Sequence, residues 1–464
     1  MAFKRSTLLI LLLNITFFYA CKTTRDLSLL NNIVIKPIDS IASAPKADTT
    51  TMAKEKPVTP IILPAPKKDD SRTDAFLADM LRQYPPYFDE IIKKRKDLRV
   101  QIIYTQINRD GNNKAEFKDY YFNVNDKDYF YPASTVKMPA ALLALQRLNE
   151  LNLPGVDRQT TMITESAYSG QTPVYNDPTT PDGSPNIEQY IKKIFVVSDN
   201  DAFNRLYEFL GPQYITEQLR NKGYKDVQIN HRLEVQLSDD ENRHTNPVEF
   251  RDAKGKIIYA QPMQHNTARY AQRNDLVGKA YYKSGVLINE PMNFSAKNRL
   301  SLQDLHDIIR SIMFPQSVPE KQRFNITPEQ YRFVWQYMSQ LPGETDYLQY
   351  DSSFYDAYGK FLLLGSHKNA QLPSGVRIFN KTGDAYGFLI DVAYIADFEN
   401  NVEFMLSAVI YCNENQTLND DTYEYESIGL PFMKRLGEVI YNYELKRERL
   451  HSPNLSNFKI EYGK

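Results

Sequence analysis

Ser134 and Lys137 stand three residues apart in FYPASTVKMPAALLALQRLNEL, and they are the pair around which a reaction could be built. On a helix that spacing puts the hydroxyl and the ammonium on one face, within reach of each other. A serine is a poor nucleophile until a neighbouring base takes its proton, and a lysine deprived of water has a lowered pKa suited to that task. The pair therefore points to nucleophilic catalysis by serine. The same spacing recurs at Ser43 with Lys46 and at Ser456 with Lys459, where the sequence offers neither helix nor core.

Two further clusters single out Ser134. Ser198, Asp199 and Asn200 interrupt two helical patterns in IEQYIKKIFVVSDNDAFNRLYEFLGPQYITEQLRNKGY and read as a loop between helices. All three residue types also cap helices well, so a plain N-cap accounts for their identity, though not for their place after the Ser134 segment. Lys381, Thr382 and Gly383 in NKTGDAYGF end one strand and open the turn to the next. Lys283, Ser284 and Gly285 match the same short pattern but lack the strand, turn, strand and helix that follow Lys381.

The elements that must hold these groups can be read coarsely. A helix is expected around TDAFLADMLRQY, then a strand at RVQIIYTQIN, the turn RDGNNK and a returning strand at FKDYYFNV, since Asp-Gly between alternating runs is a hairpin signal. Residues 132 to about 224 read as helical. Three strands follow near the C-terminus, VRIFNKTG, YGFLIDVAYIAD and VEFMLSAVIYC, and then a long amphipathic stretch, YESIGLPFMKRLGEVIYNYEL. Strands at both ends of a helical middle predict an α+β fold.

In this order and context, S-x-x-K, S-D-N and K-T-G resemble the class A β-lactamases and their penicillin-binding relatives. The run SDN-x-A-x-N-x-L, followed by L-G-P and K-G-Y, extends the likeness, which covers residues 74 to about 448. The resemblance implies an antiparallel sheet of N- and C-terminal strands packed with helices, plus an all-helical subdomain. It also implies a serine hydrolase that opens a β-lactam amide through an acyl-Ser134 intermediate. Lys137 would be the base, Ser198 the relay to the leaving nitrogen, and Asn200 the group orienting Lys137 and the substrate amide. Lys381, Thr382 and Gly383 would hold the substrate carboxylate, and the N–H groups of Ser134 and Asp384 the oxyanion. A peptidoglycan D,D-peptidase or esterase, and a non-catalytic envelope-binding lipoprotein, are alternatives on the same fold.

The chain departs from that family in the middle and after K-T-G. Many more residues separate Ser198 from Lys381 than a class A enzyme places there, so an insertion is expected at about 239–298, after the omega-loop region, with a hairpin at VEFRDAKGKIIYAQ. NRLSLQDLHDIIRSIM resembles the helix that follows that loop. Arg232, Glu234 and Leu237 resemble the omega-loop pattern R-x-E-x-x-L, which would make Glu234 the base for deacylation; an ordinary exposed carboxylate is the other reading. Asp384 stands where a small residue is usual, and FLIDVAYIAD carries no arginine to meet a substrate carboxylate.

Of the 464 residues, 56 Lys+Arg nearly cancel 57 Asp+Glu, which leaves no positive field for a nucleic-acid backbone. Two cysteines build no disulfide framework, and six histidines show no H-E-x-x-H spacing, so no metal or other cofactor is expected. Residues 1–21 join Lys4 and Arg5 to an apolar run of about 13 residues, short of the roughly 20 that span a bilayer, and read as a secretory signal. Cys21 after Ala20 resembles a bacterial lipobox, which implies a lipid anchor and a place in the periplasm or at the outer membrane; the oligomeric state is left open. Residues 22–73 read as a disordered tether, 74–448 as the hydrolase domain and 449–464 as a tail. Cys412 is then a packed core thiol.

Overall fold

The computed structural model describes residues 70–345 and 350–462. The leader, Cys21 and nearly all of the tether lie outside them. Two helices, α1 (Ala75–Arg82) and α2 (Pro85–Lys93), come first. They lead into the antiparallel pair β1 (Gln101–Arg109) and β2 (Ala115–Phe122). The Asp-Gly turn between these strands is held by Asp110, whose carboxylate accepts the N–H groups of Asn112 and Lys114.

The helical middle is less continuous than its sequence suggests. After α3 (Lys137–Leu151) the chain stays non-helical to residue 186 apart from the strand β3 (Thr161–Thr164). That stretch is rich in Thr, Pro and Gly, which cost too much inside a helix. Helices resume with α4 (Ile187–Val196), α5 (Asn200–Leu210), α6 (Pro212–Asn221) and the single turn α7 (Asp239–Arg243). The expected hairpin forms as β4 (Val248–Arg251) and β5 (Ile257–Gln261), and β3 adds a third strand beside β4. The short strands β6 (Leu276–Val277), β7 (Ala280–Lys283), β8 (Val286–Ile288) and β9 (Met292–Asn293) then pair 6 with 9 and 7 with 8.

Two helices, α8 (Leu302–Met313) and α9 (Pro328–Ser339), precede the strands β10 (Val376–Ala385), β11 (Phe388–Asp397) and β12 (Val402–Tyr411). A two-residue strand, β13 (Thr417–Leu418), pairs with β7, and α10 (Leu430–Lys446) follows. The main sheet has the order β10-β11-β12-β1-β2, with its neighbours antiparallel. On one face Ile103, Met405 and Val409 pack with Leu142 of α3 and Ile308 of α8. On the other, Ile102, Phe404 and Leu406 pack with Leu77 of α1 and Met433 of α10. Cover on both faces is why β11 and β12 are buried along their whole length and read as almost unbroken apolar runs. The fold is α+β, an antiparallel sheet covered by helices on both faces, as expected.

The C-terminal residues are not a loose tail. Phe458 lies in the core against Trp335 and Tyr394, with ring centroids 5.1 and 4.9 Å away. Ser456 and Lys459 therefore do have core beside them, contrary to their sequence reading: two isolated apolar residues, Leu455 and Phe458, anchor an otherwise polar segment. Cys412 is a free, buried thiol, and burial pushes its pKa up. Among the described residues no helix is long and apolar enough to cross a membrane.

Candidate active site

Ser134 sits in a single 3-10 turn, Ala133–Val136, so the α-helix starts one turn later than the S-x-x-K spacing suggests. Ala133 enters the turn at φ +47°, a conformation uncommon for a residue with a Cβ and one that often marks a functional turn. Ser134 is half-buried, while its neighbours Ala133, Thr135 and Val136 are fully enclosed. Lys137, the first residue of α3, is completely buried. Its Nζ donates to Ser134 Oγ at 2.9 Å, to Ser198 Oγ at 3.2 Å and to the Ser198 carbonyl. Burial holds the Lys137 amine well below the usual lysine range, helped by the Lys381 charge and opposed by Asp199, Asp384 and Glu234.

The S-D-N segment joins α4 to α5, and its two sequence readings fall on different residues. Asp199 is the N-cap, its carboxylate accepting the Ala202 N–H at 2.7 Å. Ser198, at φ +59°, turns its hydroxyl into the site, where Lys381 Nζ donates to it at 2.8 Å. Two amines thus occupy the acceptor side of Ser198 Oγ, leaving its own O–H free to donate elsewhere. The bond that Asn200 makes is to Glu234, Nδ2 to Oε2 at 2.6 Å, in place of the expected one to Lys137.

From the other side, β10 supplies Lys381, Thr382 and Gly383. Lys381 is buried, its Nζ also donates to the Thr382 carbonyl at 3.0 Å, and burial lowers its pKa to about 8, against the pull of Asp384 and Asp391. At Gly383 a Cβ would lie 2.9 Å from the Pro132 carbonyl oxygen and 3.0 Å from Ser134 N, so only glycine lets the strand lie against the Ser134 turn. Asp384 is exposed, yet desolvation raises its carboxyl while the Lys381 and Lys137 charges pull it down. Opposite Thr382 on β11 stands Asp391, which accepts the N–H groups of Phe361 and Leu362 and the Asn380 amide. The nearby buried Lys360 donates to Asn380 Oδ1 at 2.6 Å and to two backbone carbonyls.

Glu234 occupies an exposed turn at φ +59° that is fastened from both sides. Asn204 of α5 grips the preceding residue, accepting from Leu233 N at 2.8 Å and donating to its carbonyl at 3.0 Å. Arg232 is buried, pairs with Glu208 at 2.9 Å and donates to the carbonyls of Glu241 and His244. The structure therefore joins Ser134, Lys137, Ser198 and Lys381 in one hydrogen-bonded network, with the separate Asn200–Glu234 pair close enough for the Glu234 charge to act on Lys137 and Thr382, Gly383 and Asp384 continuing β10 past Lys381.

A family model described as the beta-lactamase enzyme family matches residues 86–443. The chain belongs to that family. Solved structures of similar fold include a mutant of PBP-A in an acyl-enzyme complex with penicillin G, at 14% identity over 79% of this chain and 96% of that one, with a TM-score of 0.44. Others are a β-lactamase from Desulfarculus baarsii (15%, 80% and 99%, TM-score 0.42) and one from Chitinophaga pinensis (11%, 78% and 98%, TM-score 0.42). No curated protein matches the chain.

In this beta-lactamase family member, several residues that shape the site carry no role in the sequence reading. Asn204 is the final Asn of the SDN-x-A-x-N run, and that place was its signal. Glu208 lies one helical turn further along α5, on the face that meets Arg232. Lys360 and Asn380 had no signal of their own, since their partners are backbone carbonyls and Asp391 on separate segments.

Proposed function

We propose that the chain is a serine hydrolase of the class A type, opening the cyclic amide of a β-lactam through an acyl-Ser134 intermediate. The observation that carries this reading is the buried Lys137 amine, 2.9 Å from Ser134 Oγ and held by both oxygens of Ser198. A neutral amine in that cage gives its two N–H groups to Ser198 and turns its lone pair to the Ser134 O–H. Lys137 takes the proton as Oγ attacks the carbonyl carbon. The N–H groups of Ser134 and Asp384 receive the developing oxyanion, a contribution of about 2.7–4 kcal/mol per donor. The proton then passes from Lys137 through Ser198 to the leaving nitrogen as the C–N bond breaks. Lys381 and Thr382 hold the substrate carboxylate throughout. In the second half Glu234 takes a proton from water, the hydroxide attacks the ester, and Ser134 leaves with a proton restored.

One observation favours a second reading, a peptidoglycan-directed D,D-peptidase or esterase. β11 places Asp391 opposite Thr382 and carries no cation, and Asp384 adds a further acid, so a substrate carboxylate meets Lys381 with little other positive charge. Time-resolved intact-mass spectrometry with penicillin G separates the readings. A transient adduct with product release supports the lactamase, a persistent adduct the peptidase, and no adduct a binding protein that does no chemistry.

We place the protein in the cell envelope, lipid-anchored through Cys21. Cys21→Ser should release it from membranes, because serine cannot form the thioether. Membrane association of a chain starting at residue 74 would show instead that the folded part binds lipid itself.

A further inference from the structure

Histidines that are separated in the sequence meet beyond the Glu234 turn. Asp240 lies on α7, His244 directly follows it, and His265 returns beyond β5 to form an antiparallel bridge with His244. One donor atom from each of the three lies within 4.8 Å of the other two. The His244 ring is sandwiched between Tyr168, at a centroid distance of 3.8 Å, and His265, at 4.1 Å.

We propose that Asp240, His244 and His265 bind a divalent transition-metal ion of the zinc type. Two imidazoles and a carboxylate form a donor set suited to that class, and water would complete the shell. The outer partners such ligands need are already in place. His244 Nδ1 is 2.8 Å from the Asp240 carbonyl oxygen, which can only accept, so the proton is on Nδ1 and the lone pair on Nε2. Tyr168 donates its hydroxyl to Asp240 Oδ2 at 2.5 Å, leaving Oδ1 for the ion. Hydrogen bonds of this kind orient metal-ligating histidines and carboxylates. The lone pairs of two face-to-face rings run parallel instead of converging, so chelation requires one ring to turn. His265 is exposed and on a loop, and is the one able to do so.

Such an ion would clamp the segment that carries Glu234. Arg232, two residues before Glu234, donates to the His244 carbonyl at 3.0 Å, so a metal on His244 fixes the far end of the same turn. The proposal does not depend on what the serine site hydrolyses.

The test is zinc titration by calorimetry of the full chain stripped with a chelator. One Zn2+ should bind at low micromolar concentration. His265→Ala and Asp240→Asn should each weaken binding by about tenfold or more, and Tyr168→Phe, which keeps the ring stack but loses the hydroxyl, by about tenfold. His367→Ala, at an exposed histidine elsewhere, should bind as the wild type does. No zinc binding by the wild type would overturn the proposal, as would a His265→Ala protein that binds equally tightly. All four substitutions lie outside the serine site, so binding is read apart from catalysis.

Discussion

Ser407 stands against His306 much as Ser134 stands against Lys137. Ser407 Oγ is 2.8 Å from His306 Nδ1, His306 Nε2 is 2.7 Å from Thr105 Oγ1, and Thr105 donates to Asp119 at 2.6 Å. Because the Thr105 proton goes to Asp119, His306 must donate through Nε2 and accept the Ser407 proton at Nδ1. On paper this serine, imidazole and carboxylate chain is closer to a protease triad than the serine–lysine pair is. Yet Ser407 and His306 are both fully buried between the sheet and α8, and burial holds His306 down to about 3, so it stays neutral. At Ser134 the proposed base, Lys137, is buried but the proposed nucleophile is half-open, and Ser198 keeps a proton to give. Access at the nucleophile and spare hydrogen-bonding capacity separate a reactive centre from a structural one.

The largest effects should come from removing the two proposed bases of the serine site. Lys137→Ala should slow β-lactam acylation by about 100- to 10,000-fold, the usual cost of losing a positioned general base. Stopped-flow acylation at the wild-type rate would move the base elsewhere. Glu234→Gln should leave acylation intact and slow deacylation over the same range, about 100- to 10,000-fold. Equal turnover by mutant and wild type would make Glu234 a surface carboxylate.

A smaller effect is expected from geometry alone. Gly383→Ala puts a Cβ 2.9 Å from the Pro132 carbonyl and pries β10 from the nucleophile turn. A shift on the order of 1 Å costs about 100-fold in rate, and the overpacking about 1–3 kcal/mol in stability. An alanine variant with full activity would show that the contact between β10 and the turn is not needed.

The pH profile sharpens the electrostatic half. In the proposed mechanism Lys137 works as the neutral amine, so acylation should fall as pH drops through its depressed pKa, well below the ordinary lysine value. Lys381 works as the cation, so substrate binding should weaken, seen as a rising KM, as pH climbs through about 8. A profile flat on both sides would contradict these roles. The least effect on chemistry belongs to Ser407→Ala, which should leave acylation within about twofold while costing about 1–3 kcal/mol in denaturant stability, since His306 loses its partner.

The closeness of Ser134 to Lys137 and the K-T-G strand were legible because each depends on short-range spacing, three residues across the 3-10 turn into α3 or within one strand. The main sheet was legible for the same reason, from the Asp-Gly hairpin and three apolar runs. Features that depend on distant partners were not. β3 pairs with β4 across the four helices α4 to α7, Phe458 packs into a core built by α8, α9 and β11, and Asn200 turned to Glu234 instead of Lys137. The insertion's strands were visible only where a local turn, Asp252 to Lys256, drew two of them together.

Acylation of Ser134 is tested most directly by labelling with a fluorescent penicillin followed by peptide mapping. The wild type should carry label on the peptide containing Ser134, and a Ser134→Ala protein that unfolds at the same temperature should carry none. Label that survives Ser134→Ala, or that maps to Ser198, would contradict it.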